Sequence, residues 1–199
     1  MIMPCVVKET ASGIIRTTVE DEQFSRREIE ICDSITRDVA MNVIRQLRYL
    51  ANENDDDITL YISSNGGSVI DGLAIYDTMQ IIGCDIVCIG VGEISSMATV
   101  LLAGGTHGKR YVYPNAKVMI HDPIVPEASG SALTVDSLAK RLMDTRRQLA
   151  EILADHTGRH VSEILENTVK DTFFTAKEAV EFGIADHVIK KHGGLKNVA

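Results

Sequence analysis

The sequence predicts an α/β fold with crossover connections. Three observations carry that expectation. Short runs rich in Ile and Val, at 58–62 and 85–92, alternate with segments of helical apolar spacing. Small-residue turns, Gly66-Gly67 and Gly92-Glu-Ile-Ser-Ser-Met97, sit where a strand gives way to a helix. The order strand, helix, strand, helix packs helices against a sheet. With 199 residues, 45% of them hydrophobic, the chain is sized for one domain with a substantial core.

Residues 1–33 are mixed. Ile14-Ile15 reads as an apolar pair in a loop-like stretch, and Glu28 and Glu30 alternate with Ile29 and Ile31 in a highly charged segment. Residues 37–52 read as a helix with Val39, Val43, Leu47 and Leu50 on one face, broken by Asn54 to Asp57. Ile58–Ile62 is a short alternating strand. After Gly66-Gly67, helical spacing resumes through Val69, Leu73, Tyr76 and Met79. Asp85 to Gly92 is a strand, and Met97 to Ala103 a buried helix of small and apolar residues. Tyr111–Tyr113 and Lys117–His121 read as two short strands around Pro114-Asn115. The longest helical pattern spans 134–156. Its apolar face is Leu138, Leu142, Leu149, Ile152 and Leu153, Arg141, Arg146 and Arg147 are among its polar positions, and Gly158 is its C-terminal cap. A shorter helix follows at 161–167. Thr175-Ala-Lys-Glu178 is a capping box opening a helix that ends at Gly183, and 184–189 reads as a last strand.

A net charge of -8, spread along the chain, argues against a nucleic-acid partner, which favours a basic stripe. Cys5, Cys32, Cys84 and Cys88 form no CxxC pair and no zinc spacing, so free thiols and no bound metal are expected. No apolar run reaches membrane-spanning length and no signal-peptide pattern opens the sequence. A cytoplasmic protein away from the membrane is the simplest expectation.

A serine hydroxyl needs an adjacent base to act as a nucleophile near neutral pH. Ser96 lies between a strand end and a helix start, where free N–H groups and the positive end of the helix dipole converge. Ser95 fits almost equally well, and either could be a plain helix cap, so the residues alone leave the two serines open. Gly66-Gly67 reads either as a simple turn or as a place where backbone N–H groups approach an anion. His121 ends a strand-like run before Asp122-Pro123; a lone histidine there is more often structural than catalytic. His107, His156, His160, His187 and His192 sit in turns or at helix ends. Asp171 is one acid among 28. Together these parts suggest a Ser-His-Asp hydrolase, whose chain order varies between folds.

The chain resembles the proteolytic subunit of the ATP-dependent Clp protease over nearly its whole length. The matching stretches are Leu60-Tyr-Ile-Ser-Ser-Asn-Gly-Gly-Ser-Val69, Ala74-Ile-Tyr-Asp-Thr-Met79, Ser96-Met97, Gly108-Lys-Arg110, Pro114-Asn115, Val118-Met-Ile-His121, His156-Thr-Gly158 and Glu178-Ala-Val-Glu-Phe-Gly183. The resemblance implies Ser96 as nucleophile, His121 as general base and Asp171 as orienting acid. It implies Gly67 and Met97 as the oxyanion-hole donors. It implies a crotonase-like α/β head across 1–199, an axial segment at about 1–33 and a handle at about 122–160. Seven-membered rings would stack in pairs around a chamber, fed with unfolded polypeptides by a Clp-type AAA+ unfoldase. ATP would be used by that unfoldase, and this chain would need no cofactor. Tyr61, Ile81, Ile89, Val91 and Tyr113 match an apolar pocket that receives an unfoldase loop.

Several positions depart from the family pattern. Asn-Ser-Pro-Gly-Gly is Ser63-Ser-Asn-Gly-Gly67 here, and Ser-Met-Gly-Ala is Ser96-Met-Ala-Thr99. The glycine pair after His-x-Pro is replaced by Ile124-Val-Pro126, and Pro126 removes an N–H donor. Val169-Lys170 replaces the acid-basic pair before the catalytic Asp, losing a carboxylate that links rings in relatives. Segment 19–31 also differs. These changes bring in a second expectation, a specialised subunit that works only in mixed rings with another proteolytic subunit. A crotonase-type acyl-CoA enzyme would share the fold and the two-donor hole but lack the triad. A scaffold without chemistry leaves the triad spacing unexplained.

Overall fold

The computed structural model describes residues 4–11, 13–125 and 129–190. Seven strands form one mixed sheet. Strands β3 (Glu28–Ile31), β4 (Ile58–Ser64), β5 (Ile86–Ser95), β6 (Arg110–Val112) and β9 (His187–Val188) run parallel in that order. Between them lie helices α2 (Arg37–Glu53), α3 (Val69–Ile81) and α4 (Met97–Ala103). Parallel neighbours require such crossovers, because a tight turn cannot bring the chain back to the same end.

The core forms where the periodicities predicted it. Val43, Leu47 and Leu50 of α2 are buried against Ile58, Leu60 and Ile62, the alternate residues of β4. All seven residues of α4 are buried, so its small side chains let it pack on every side. Cys84 and Cys88 are buried free thiols, and burial pushes Cys88 up to about 12.

Strand β5 is longer than expected and divides the sheet. Cys88 to Gly90 pair with β6, while Glu93 to Ser95 pair with β7 (Lys117–Ile120). The division falls at Gly92, which has φ +67°, a conformation that costs glycine no Cβ clash. Strand β8 (Thr172–Thr175) then pairs antiparallel with β7. No strand is expected at 172–175, although Thr172-Phe-Phe-Thr175 is all strand-favouring residues and Phe174 is buried while Phe173 is exposed; four residues are too few for a pattern to stand out.

The N-terminal region also differs from expectation. Residues read as loop-like form a hairpin, β1 (Cys5–Thr10) and β2 (Gly13–Thr18), followed by α1 (Val19–Ser25). Ile14 and Ile15 lie exposed on β2. Neither face of the hairpin is buried, so no alternation marked it. Helix α1 carries a legible signal that the reading missed: Thr18 and Asp21 form a capping box.

Helix α5 (Ala132–Thr157) has 26 residues and ends at Gly158 in the left-handed conformation, as expected. Only its last third is buried, through Ala150, Leu153 and Ala154. Leu133 and Met143 stand exposed on its earlier turns. Helices α6 (Val161–Thr168) and α7 (Ala176–Phe182) follow, the latter with the predicted Thr175–Glu178 capping box. No helix among the described residues is long and apolar enough to cross a membrane.

One ion pair fastens the C-terminal elements to the sheet. The Arg110 guanidinium, 2% exposed, bonds Asp186 through Nε–Oδ2 at 2.9 Å and Nη2–Oδ1 at 2.6 Å. Nη1 donates to the carbonyls of Ala103 and His156, so every face of the fork is used. Burial alone would raise the Asp186 carboxyl, but the bonds and charge of Arg110 outweigh it and hold the group below its ordinary value. Removing one partner of such a pair costs about 3–5 kcal/mol. Asp186→Ala is therefore expected to lower the thermal midpoint markedly at pH 7. A carboxylate with a depressed folded pKa contributes stability above its unfolded value, about 3.9, and loses it as pH falls through the folded one. The gap between the native chain and Asp186→Ala should therefore narrow below about pH 4. A gap that stays constant down to pH 3 would show that the pair is not the source.

Candidate active site

The bend at Gly92 delivers β5 to Ser96, one of two non-glycine residues with positive φ among the described residues (φ +57°, ψ -125°). Such a conformation persists only where the surroundings over-determine it. Here the Ser96 N–H donates to the Met119 carbonyl at 2.9 Å. The Thr99 hydroxyl reaches the same carbonyl at 2.8 Å and that of Ile94 at 3.0 Å. Ser96 precedes α4 as its N-cap without a side-chain cap bond, so its hydroxyl is left for other use. It lies 2.8 Å from Nε2 of His121. Ser95 is buried and donates its hydroxyl to Glu93 Oε1 at 3.0 Å. Of the two serines left open by the residues, only Ser96 meets a histidine.

Strand register brings the other groups in. Ser95 pairs with Met119 across β5 and β7, which puts His121 just beyond the end of β7 beside Ser96. Ile120 pairs with Thr172 across β7 and β8, so Asp171 falls opposite His121. Asp171 Oδ1 is 3.6 Å from His121 Nδ1, beyond hydrogen-bond length, and its side chain is 62% exposed. The three candidate residues converge, with the acid standing off.

Two backbone N–H groups near Ser96 belong to Gly67 and Met97. In the parallel bridge Ile35–Gly67, Ile35 bonds to Gly66 and Ser68, which turns the Gly67 N–H away from Ile35. Met97 is the first residue of α4, so its N–H has no acceptor within the helix. Gly66 is needed for close approach. A Cβ on it would lie 2.7 Å from Ser96 Cβ and 2.8 Å from the Ser95 carbonyl oxygen.

Beside Ser96 and His121 opens a pocket walled mainly by Val69, Met97, Val100, Leu149 and Leu153. One end is polar: Arg146 Nε bonds Asp122 Oδ2 at 2.6 Å. By sequence Arg146 is only a polar position on α5, and nothing in the spacing pairs it with Asp122. Pro126 and His192 lie outside the described residues. His156 bonds Tyr76 at 2.8 Å, and burial, then the charge of Arg110, hold it below its ordinary value, so it stays a neutral structural partner. Among the described residues no cluster of three or more His, Cys, Asp or Glu could hold a metal ion.

Of the five residues matched to a docking pocket, four gather on the opposite side of the sheet. Ile89 is buried with Val87 and Ile189, and Tyr61, Val91 and Tyr113 pack on them half-exposed. Ile81 is apart, exposed at the C-terminal end of α3.

The arrangement can activate a hydroxyl with an imidazole and receive a developing oxyanion on two N–H groups. Comparison with known proteins finds a protease family. Residues 14–192 match the family model described as Clp protease. The chain is 42% identical over 189 residues to "ATP-dependent Clp protease proteolytic subunit 1" of Thermobifida fusca (strain YX), covering 94% of this chain and 85% of that protein. It is 40% identical over 195 residues to the protein of the same name from Streptomyces coelicolor (strain ATCC BAA-471 / A3(2) / M145), covering 98% and 89%. It is 36% identical over 196 residues to "ATP-dependent Clp protease proteolytic subunit" of Ligilactobacillus salivarius (strain UCC118), covering 98% and 99%.

Gly66 has no room for a side chain beside Ser96. Gly66→Ala must push the Ser96 turn aside, and displacement of a reacting group by about 1 Å costs about 100-fold in rate. Modification of Ser96 by a fluorophosphonate, followed by intact mass, should slow by about that factor while circular dichroism stays native. An unchanged rate would show that the turn relaxes freely.

Proposed function

The chain belongs to the Clp protease family and is a Clp-type peptidase; from that premise we propose that it cleaves unfolded polypeptides by a Ser96-His121-Asp171 mechanism. The observation that carries the proposal is the 2.8 Å contact from Ser96 Oγ to His121 Nε2, made by a serine held at positive φ. Ser96 gives its proton to Nε2 as it attacks the carbonyl carbon of the scissile bond. The oxygen becomes anionic against the N–H groups of Gly67 and Met97. His121 passes the proton to the leaving amine, and a water then repeats the sequence to release the acyl group. Asp171 orients the imidazole and stabilises its charged form, closing the 3.6 Å gap when the site is occupied or assembled.

In this reading the chain is a crotonase-like head with the 122–160 region as a handle and 1–33 as an axial segment. Seven copies form a ring and two rings stack. Exposed Leu133 and Met143 on α5 support a partner for that helix outside its own chain. The half-exposed tyrosine cluster around Ile89 supports docking of an AAA+ unfoldase, which supplies all ATP chemistry. No cofactor is required by this chain. A crotonase-type acyl-CoA enzyme accounts less well for the site, because it gives the Ser96–His121 contact no task.

A second reading, a subunit active mainly in mixed rings, is favoured by Val169. It is 62% exposed where relatives carry an acid that links rings, and it stands two residues from the exposed Asp171. Two of the relatives carry a subunit number in their names, which supports the same reading.

Two measurements test these statements. Ser96→Ala should abolish peptide hydrolysis with assembly intact, whereas Ser95→Ala should keep at least about a tenth of the rate, since a lost hydrogen bond to Glu93 is worth about 1 kcal/mol. The reverse pattern would sink the nucleophile assignment. In sedimentation velocity at moderate salt, the homomer should show a substantial single-ring population with low peptidase activity that rises on adding a sister subunit. A fully paired, fully active double ring of this chain alone would favour the stand-alone peptidase.

A further inference from the structure

We propose that Asp122 is a positioning residue for His121: its ion pair with Arg146 anchors the backbone just after the imidazole and so keeps Nε2 within reach of Ser96. The inference rests on the Ser96–His121 reading and adds what holds the base from outside the sheet.

His121 sits at the end of its support. Strand β7 stops at Ile120, which pairs with Thr172 across the ladder. Downstream, Pro123 has no N–H to donate, and Ile124 and Val125 make no hydrogen bond among the described residues. Ile124 is also largely exposed. Between the sheet and that untied stretch stands Asp122.

Asp122 is tied twice. Its backbone N–H donates to the Thr168 carbonyl at 2.7 Å. Its Oδ2 accepts from Arg146 Nε at 2.6 Å, and Arg146 Nη2 donates to the Leu165 carbonyl at 2.9 Å. The guanidinium thereby joins α5, which carries it, to α6 and to the segment after β7. A planar fork with several fixed donors can span two acceptors in this way, where a point charge cannot. The other carboxylate oxygen, Oδ1, is buried and has no hydrogen-bond partner. The side chain therefore depends on Arg146 alone for its place.

Geometry and charge both suit a support and not a reacting group. The bonded oxygen of Asp122 faces Arg146, while His121 turns Nε2 to Ser96 and Nδ1 towards Asp171. The Asp122–Arg146 pair is neutral as a whole. It fixes the segment without adding net charge beside a histidine that becomes cationic when it takes the Ser96 proton. His121 is thus held on both flanks, by the β7–β8 ladder before it and by the Asp122–Arg146–Leu165 link after it. On α6 the link grips backbone carbonyls only, so the exposed carboxylate of Asp171 lies outside its hold.

The test is the reaction of Ser96 in the full chain with a peptidyl phosphonate ester, followed by intact mass at several reagent concentrations. The limiting rate reports the Ser96–His121 contact, and the half-saturating concentration reports reagent binding. Circular dichroism confines the comparison to folded protein, so a loss of stability alone leaves the limiting rate unmoved. Asp122→Ala should lower the limiting rate about tenfold at unchanged half-saturation, part of the 100-fold that a shift of about 1 Å costs. Asp122→Asn keeps an oxygen for Arg146 Nε and should stay within about threefold of the native rate, the effect of weakening one hydrogen bond. Both variants lose the charge, so the tie alone separates them. Should Asp122→Ala not fold, Arg146→Lys takes its place. A lysine can pair with Asp122 but cannot also hold Leu165, and the limiting rate should fall by about threefold or more. A native limiting rate in the variant tested, or a raised half-saturation with the rate intact, overturns the positioning role and leaves the peptidase reading standing. Equal slowing by Ala and Asn overturns the assignment to the hydrogen-bonded tie. No reaction of Ser96 in the unmodified chain overturns the peptidase reading and this inference with it.

Discussion

The carbonyl of Met119 is the point on which the site hangs. It accepts the Ser96 N–H at 2.9 Å and the Thr99 hydroxyl at 2.8 Å, so one acceptor on β7 fixes both the strained turn and the first turn of α4. Positive φ at a non-glycine residue costs about 1–3 kcal/mol. Two hydrogen bonds to a buried carbonyl, each worth about 1 kcal/mol, offset a strain of that size. Two residues after Met119, just past the end of β7, comes His121. The acceptor that holds the proposed nucleophile and the base proposed to activate it therefore lie on one short segment. The 2.8 Å Ser96–His121 contact follows from β5–β7 register and needs no adjustment by a flexible loop.

The acid obeys a weaker constraint. Asp171 reaches the site through β8, an edge strand of four residues, and its carboxylate is largely in water. Two unit charges about 4 Å apart attract by about 1 kcal/mol in bulk water and several-fold more once solvent is excluded. The electrostatic value of Asp171 to a charged His121 thus depends on what covers the surface around Val169 and Asp171. In the proposed double ring that surface is where assembly would act on chemistry. The proposed oxyanion donors carry no such dependence, because both belong to backbone within one chain, one beside Gly66 and one at the start of α4.

The legible parts of the sequence were those where local chemistry and burial agree. Val43, Leu47 and Leu50 on α2, the alternation of β4, the small and apolar α4 and the Thr175 capping box each declare both their element and its buried side. The illegible parts depend on a partner in space. Strand β8 pairs on the open edge of β7 and buries only Phe174, too little for a period to show, and the β1–β2 hairpin buries no face. The site divides in the same way. Ser96, His121 and the glycine turn sit at recognisable junctions; local pattern left Ser96 and Ser95 open and only the family resemblance singled out Ser96, while the strained dihedral and the Ser95–Glu93 bond that separate them physically are encoded by no spacing. Asp122–Arg146 joins residues 24 apart on unrelated elements and was invisible until the fold brought them together.

The departures from the family pattern around the nucleophile then take on physical content. Where the pattern has Gly and Ala after Ser-Met, this chain has Ala98 and Thr99, both buried. Ala is about 1 kcal/mol better than Gly within a helix, and the Thr99 hydroxyl adds a bond that an alanine cannot make. Both changes stiffen the first turn of α4, which carries Ser96 and the Met97 N–H. At Val169 the opposite has happened: a polar group is absent and an exposed apolar one stands beside the acid. The chain has therefore strengthened the half of its site that lies inside one protomer and loosened the half at the surface. A subunit built this way keeps its nucleophile preorganised by itself, while the alignment of its acid is left to whatever packs against β8.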